Sequence, residues 1–206
     1  EVERRAVEDA AFNAGAREVY LIEEPMAAAI GARLPIHDPR ASLIIDIGGG
    51  TTEVVVVSLG GIIASRSLRI AGDKLNQDII EYLKDENRLL IGERTAEEIK
   101  ISIGSVWPLE EELNMEISGR DLITGLPKEM KITSSEIRKA LMRSTRIIIN
   151  AIKDTIEETP PELISDLTKK AIHVAGGGSL LRGFDVLLSH ETKLTVKIVD
   201  DPLTAV

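Results

Sequence analysis

The stretch Leu43 to Leu59, LIIDIGGGTTEVVVVSL, decides how this chain is read. Two runs rich in β-branched apolar residues, each long enough for a buried strand, are separated by Gly48, Gly49, Gly50, Thr51 and Thr52. The pattern predicts a strand, a glycine turn and a second strand. Glycine has no Cβ and accepts positive φ, so three in a row let backbone N–H groups converge on an anion such as a phosphate. Asp46 stands at the carboxyl end of the first run, where open α/β sheets present ligand-binding groups. A carboxylate there needs water, a donor or a metal ion. The other reading is a tight hairpin without a ligand, and Asp46 with the paired threonines weighs against it. Neither GxxxxGK[ST] nor a GxGxxG that opens a helix is present.

Composition narrows the classes around this centre. With 206 residues, 43% of them hydrophobic, the chain can bury one good core or two small ones. A formal charge of −9 and only 2% aromatic residues argue against nucleic acid, which calls for a basic face and stacking rings. Phosphate affinity would then rest on backbone N–H groups more than on basic side chains. Cysteine is absent, which excludes disulfides and thiolate metal sites and makes a reducing cytoplasm the natural compartment. His37, His173 and His190 are scattered and receive no role. No apolar run approaches the ~20 residues that a bilayer demands, and no leader is expected.

Taken in order, Glu3 to Ala14 is a helix with Val7, Ala10, Ala11 and Ala14 on one face and Gly15 after its end. Opening on a charged helix without a cap or methionine, the chain reads as a piece of something longer. Glu18 to Ile22 is predicted as a short strand. Glu23, Glu24 and Pro25 lead into a helix of small residues, Met26 to Ala32, suited to a close crossing between packed units. Glu23 reads as solvated charge, and Glu24, directly before the proline, as the better candidate for chemistry. Leu34 to Ser42 is a loop. Ile62 to Ile70 is a third strand, which makes an antiparallel meander, and a helix follows from Ala71 to about Asn87 with Leu75, Ile79, Ile80 and Leu83 inward.

Thr95 to Glu98 has the form of a capping box for a helix that buries Ala96, Ile99 and Ile103. Glu97 and Lys100 share a face of it, by themselves only a surface ion pair worth a few tenths of a kcal/mol. Met115–Gly119 and Glu129–Thr133 are short strands. A second capping box, Thr133 to Glu136, opens a long helix with Ile137, Leu141, Ile148, Ile152 and Ile156 in one stripe, and Thr159-Pro-Pro-Glu162 ends it and caps the next. Ala171–Ala175 is a strand, Gly176, Gly177 and Gly178 a second glycine turn, Ser179–Glu191 a helix and Thr195–Val199 a last strand. A helix opening on those glycines would aim the positive end of its dipole at the turn. Two such turns, each after a buried strand, suit a nucleotide held at both ends.

At this point a resemblance enters. LIEEPMAAAIGA, DIGGGTTEV, IAGDKLNQ, IGERTAEEIK, DLITGLP, TPPELISD and AGGGSLLRG resemble, in order and over almost the whole chain, the bacterial cell-shape family MreB of the actin, hexokinase and seventy-kilodalton chaperone superfamily. The resemblance implies an actin-like ATPase that binds ATP and Mg2+, forms filaments with its own copies on the inner face of the cytoplasmic membrane, and works with membrane proteins of wall synthesis. It implies that Gly48, Gly49, Gly50 and Thr51 form the second phosphate loop. Asp46 would reach the metal through water, Glu24 would position the attacking water, and Asp46 and Thr51 would complete the catalytic set. Glu97 and Lys100 would stand beside adenine and ribose, and Gly176, Gly177, Gly178, Ser179 and Leu180 would form the adenosine loop. The family's first phosphate loop and its membrane-inserting segment have no counterpart here.

The expected fold class is therefore α/β, an actin-like ATPase fold with a ribonuclease-H-like subdomain and a smaller α+β subdomain inserted. Residues 1–30 would be the tail of a first domain with its connecting helix, 31–74 plus 143–206 the nucleotide-binding subdomain, and 75–142 the insert. The expected function is an ATP-hydrolysing filament subunit, inactive as this piece alone, cytoplasmic and peripheral to the membrane. The rivals are a sugar-kinase-type phosphotransferase, which needs a polar acceptor pocket in the insert, and a chaperone-type ATPase, which needs a substrate-binding domain after the cleft.

Overall fold

The structure, a computed structural model, describes residues 2–205. Its larger sheet is built from β1 (Ser42–Ile47), β2 (Thr52–Ser58), β3 (Gly61–Leu68), β7 (Ile172–Ala175) and β8 (Val196–Ile198), in the order β3-β2-β1-β7-β8. The first three strands form the expected antiparallel meander, while β7 runs parallel to β1 and β8 parallel to β7. β1 is buried along its whole length, which is why Leu43, Ile44 and Ile45 are apolar without alternation, with Ser42 and Asp46 as its two polar residues. β3, at the sheet edge, alternates exposed and half-buried residues.

A smaller antiparallel sheet holds β4 (Leu89–Leu90), β5 (Asn114–Asp121) and β6 (Pro127–Thr133). Two helices precede and follow β4: α3 (Gly72–Asn87) and α4 (Glu93–Ile103). The 25-residue α5 (Ser134–Glu158) packs against β2, β3 and β6 and so touches both sheets. It opens with the predicted box, in which Glu136 N donates to Thr133 Oγ1 at 3.3 Å and Thr133 N donates to Glu136 Oε2 at 2.9 Å. One hydrophobic cluster runs from Leu43, Ile45, Val54 and Val56 through Ile79 and Ile99 to Ile117, Ile132 and Ile137. The other face of the large sheet, Ile44, Val55 and Val57, is covered by Ala28 and Ala29 of α2 (Glu24–Gly31).

Several expectations are corrected. Glu18–Ile22 is not a strand, because among the described residues no strand lies beside it to accept its ladder hydrogen bonds. The first helix, α1 (Val2–Asn13), has none of its described residues buried, and Val7 of its apolar face only lines a cleft with Leu21, Ile22, Val55 and Ile62. Thr95 does not cap α4: the helix starts at Glu93 with Gly92 as N-cap, and Thr95 already lies inside the first turn. Likewise α6 (Pro161–Leu167) has Pro160 as N-cap and no side-chain cap bond, while Thr159 Oγ1 donates back to Thr155 O at 2.8 Å. Gly176–Gly178 does not open a long helix. A short 3-10 turn, Gly177–Leu180, starts within it, and α7 (Phe184–Thr192) begins only after Gly183, whose φ of 76° breaks any continuous helix.

Candidate functional site

The first glycine turn is held from outside by a helix. Gly72 N donates to Gly48 O at 3.1 Å and Asp73 N to Gly49 O at 2.8 Å, so the first N–H groups of α3 grip two carbonyls of the turn. Gly48 N donates to Thr51 O at 3.0 Å, closing it. Among the described residues, the N–H groups of Gly49, Gly50 and Thr51 donate to no protein acceptor. None of the three glycines has a left-handed φ, so the backbone does not require them. A Cβ at Gly48 would meet only Thr51 O at 3.5 Å, one at Gly49 only the Asp73 carboxylate at 3.7 Å and beyond, and one at Gly50 nothing within 4 Å. The fold itself leaves this space open. Of the two threonines, Thr52 is structural, its hydroxyl donating to Ile70 O at 2.7 Å, and Thr51 is the half-exposed one.

Asp46 is 5% exposed and sits opposite Glu53 in the β1–β2 register. Burial, and then the charges of Glu24 and Glu53, push its carboxyl up to about 6. Among the described residues nothing donates to it, and no cluster of three or more metal-type side chains occurs. A divalent cation there would relieve the crowding of negative charge, and with so few protein ligands it would keep most of its waters. Glu24 and Glu53 line a separate cleft of about 620 Å3 beside α1. Glu23 is ion-paired with Arg4 of α1 rather than simply solvated.

The second glycine turn is packed against the first strand. Gly176 has φ 79°, and a Cβ on it would fall 2.3 Å from Ile47 O and 2.4 Å from Asp46 Oδ1. One on Gly178 would fall 2.2 Å from Ile47 Cγ2. Glycine is obligatory at both positions for close approach, a reason distinct from ligand contact. Ser179 is fully buried and its hydroxyl donates to Gly176 O at 2.7 Å, closing the turn from within.

Between the two turns and α4 lies a cleft of about 840 Å3. It brings together Gly48, Gly49, Glu97, Lys100, Gly177, Gly178 and Leu180; Glu24, Asp46, Gly50, Thr51, Gly176 and Ser179 are not on its wall. At the end beside α4, Lys100 Nζ donates to Glu97 Oε2 at 2.8 Å and to Gly72 O at 3.0 Å, tying α4 to the start of α3. Asn76 Nδ2 donates to the same Glu97 oxygen at 2.6 Å. Burial pushes the Glu97 carboxyl up, but these two donors outweigh it and hold it below the usual carboxylate range. Gly72, Asp73, Arg182 and Leu203 also line the cleft and were missed in sequence. The AGD that opens α3 was the available signal, but nothing local says that its N–H groups grip a distant turn. Arg182 Nη1 donates to Ile101 O at 2.7 Å, so its charge is spent on the end of α4. Exposed Ile101, Leu180 and Leu203 make apolar lips. The cleft thus offers at one end the unspent N–H of Gly49, with those of Gly50 and Thr51 next to it in the chain, and at the other apolar surface beside a carboxylate and an ammonium.

Three comparisons bear on this geometry. The family model described as MreB/Mbl protein matches residues 1–206. The chain is similar to the cell shape-determining protein MreB of Escherichia coli (strain K12), at 48% identity over 206 residues, covering 100% of the chain and 59% of the relative. It is similar to the cell shape-determining protein Mbl of Bacillus subtilis (strain 168), at 44% identity, covering 100% and 62%. Among solved structures, MreB5 of Spiroplasma citri bound to AMPPNP superimposes with a TM-score of 0.96 at 42% identity, again over 100% of this chain and 62% of that one. The chain therefore spans about three fifths of the length of the curated relatives it matches.

Proposed function

The chain belongs to the MreB/Mbl family and has the actin-like fold, and from that premise we propose that it forms one wall of the ATP site of a filament-forming, cell-shape-determining ATPase. One observation carries the reading. Gly48, Gly49 and Gly50 are required neither by backbone conformation nor by packing, and the N–H groups of Gly49, Gly50 and Thr51 are unspent. Space without side chains beside free donors is what a phosphate needs. The relative bound to AMPPNP supports the same ligand class.

In this reading the β- and γ-phosphates lie against Gly48–Thr51, and the base and sugar extend toward Glu97, Lys100 and the turn Gly176–Leu180. Asp46 would hold a hydrated Mg2+, which would supply positive charge against the phosphates. Glu24 holds a water for attack, since phosphoryl transfer depends mainly on positioning and electrostatics. The nucleotide-binding subdomain is 31–74 plus 143–206, the insert 75–142, and residues 1–30 the tail of a first domain with its connecting helix, α2, which lies on the large sheet. The whole protein would assemble with its own copies at the inner face of the cytoplasmic membrane and engage wall-synthesis membrane proteins. The test is Gly49→Val in the full-length protein. With open space around Gly49 the variant should fold normally and lose fluorescent-nucleotide binding, and near-normal affinity would reduce the turn to a hairpin.

A further inference from the structure

Asn76 lies in the inner stripe of α3 between Leu75 and Ile79, and is 7% exposed. At such a position an apolar residue of the same size would serve packing better. Its Oδ1 is buried without a hydrogen-bond partner among the described residues, an arrangement that costs stability. Its amide orientation is set by its neighbour, because the reverse flip would turn Oδ1 toward the Glu97 carboxylate. The chain therefore keeps a poorly satisfied amide in its core, and the group that amide serves is Glu97.

The bonding at Glu97 is one-sided. Oε2 accepts from both Asn76 Nδ2 at 2.6 Å and Lys100 Nζ at 2.8 Å, whereas Oε1 has no protein donor among the described residues. Glu97 lines the main cleft with 44% of its side chain exposed. Two donors on one oxygen hold the carboxylate in place and leave the other as an ionised acceptor. In a nucleotide the hydroxyls of the sugar are donors suited to such a group.

We infer that Asn76 is a positioning residue that holds Glu97 for a ribose hydroxyl, so that the cleft discriminates ribonucleotides from deoxyribonucleotides. The inference rests on the nucleotide reading above. The experiment is competition of ATP, 2′-deoxy-ATP, 3′-deoxy-ATP and inosine triphosphate against a fluorescent ATP analogue on the full-length protein, its Asn76→Leu variant and its Asn76→Ala variant. The parent should prefer ATP over at least one deoxy analogue by roughly 10- to 100-fold, the range for a hydrogen bond to a charged group. Asn76→Leu should bring that ratio to within a few-fold without lowering the melting temperature, and Asn76→Ala should do the same if leucine overpacks the site. An unchanged ratio, or equal weakening of every nucleotide together with a lower melting temperature, assigns Asn76 a structural role and overturns the inference. So does a loss of discrimination confined to inosine triphosphate, which lacks the 6-amino group. A parent that binds none of the four refutes the nucleotide reading itself.

Discussion

Gly176 stands so close to Asp46 that a Cβ on it would lie 2.4 Å from the Asp46 carboxylate oxygen Oδ1. The parallel pairing of β1 with β7, which sets Asp46 beside Ala175, creates this contact and joins the two glycine turns into one body. Gly176→Ala should therefore destabilise the protein by about 2–4 kcal/mol, combining a left-handed backbone with overpacking. Gly50→Ala, with nothing within 4 Å, should change stability by less than about 0.5 kcal/mol. Urea unfolding midpoints of both variants make the comparison, and equal shifts would refute the packing account.

Asp46 should make stability fall as pH rises through mildly acidic values. Its carboxyl is pushed up to about 6, above its unfolded value of 3.8, by burial and by Glu24 and Glu53. The folded state therefore holds the extra proton, and stability present below pH ~4 is lost as pH rises through ~6, by about 3 kcal/mol. Asp46→Asn should remove that component and leave the variant the more stable protein at pH 7. Denaturant titrations at pH 4, 5, 6 and 7 should show the two curves diverging, and parallel curves would contradict the electrostatic reading.

Glu24→Ala in the full-length protein should bind ATP and assemble but release phosphate roughly 10²- to 10⁴-fold more slowly, the usual contribution of a proton-accepting or water-positioning group. Glu23→Ala is the control. It loses only the ion pair with Arg4, whose two side chains are 63% and 50% exposed, and such pairs are worth under ~1 kcal/mol. Phosphate release and light scattering are followed together. Parent-like turnover by Glu24→Ala, or failure of Glu23→Ala instead, reverses the assignment.

The 206-residue chain alone should bind Mg-ATP weakly. The cations at the cleft wall are already engaged, Lys100 with Glu97 and Gly72 O, and Arg182 with the carbonyls of Ile101 and Gly104. Backbone N–H groups would then have to meet the charge of the Mg-triphosphate without help from a free side-chain cation on that wall. Calorimetric titration should find no tight site, and a submicromolar dissociation constant would refute this.

The division of labour between sequence and tertiary structure is visible in pairs of like motifs. Periodicity and β-branching were enough for β1, β2 and the inner stripes of α3 and α5, because those signals are local and burial follows them. Thr133–Glu136 and Thr95–Glu98 have the same capping form, yet only the first caps a helix. The second fails because α4 begins at Glu93, before the Ala96 start that the box would set, shortly after β4 and its pairing with β5. A strand of two residues carries no readable period, so neither it nor that early start was legible.

The two GGG runs make the same point for the site. From sequence alone both read as phosphate-cradling turns, and the residues that approach one cleft, Gly48, Gly49, Glu97, Lys100, Gly177, Gly178 and Leu180, were all among those singled out. Only the folded chain separates the roles of the glycines. At Gly48–Gly50 the missing side chains leave open space, whereas at Gly176 and Gly178 they admit Ile47 and Asp46. Asn76 and Arg182 escaped for the same reason. Their function lies in hydrogen bonds to Glu97 and to the end of α4, and such long-range contacts follow from how strands and helices dock, which local residue order does not encode.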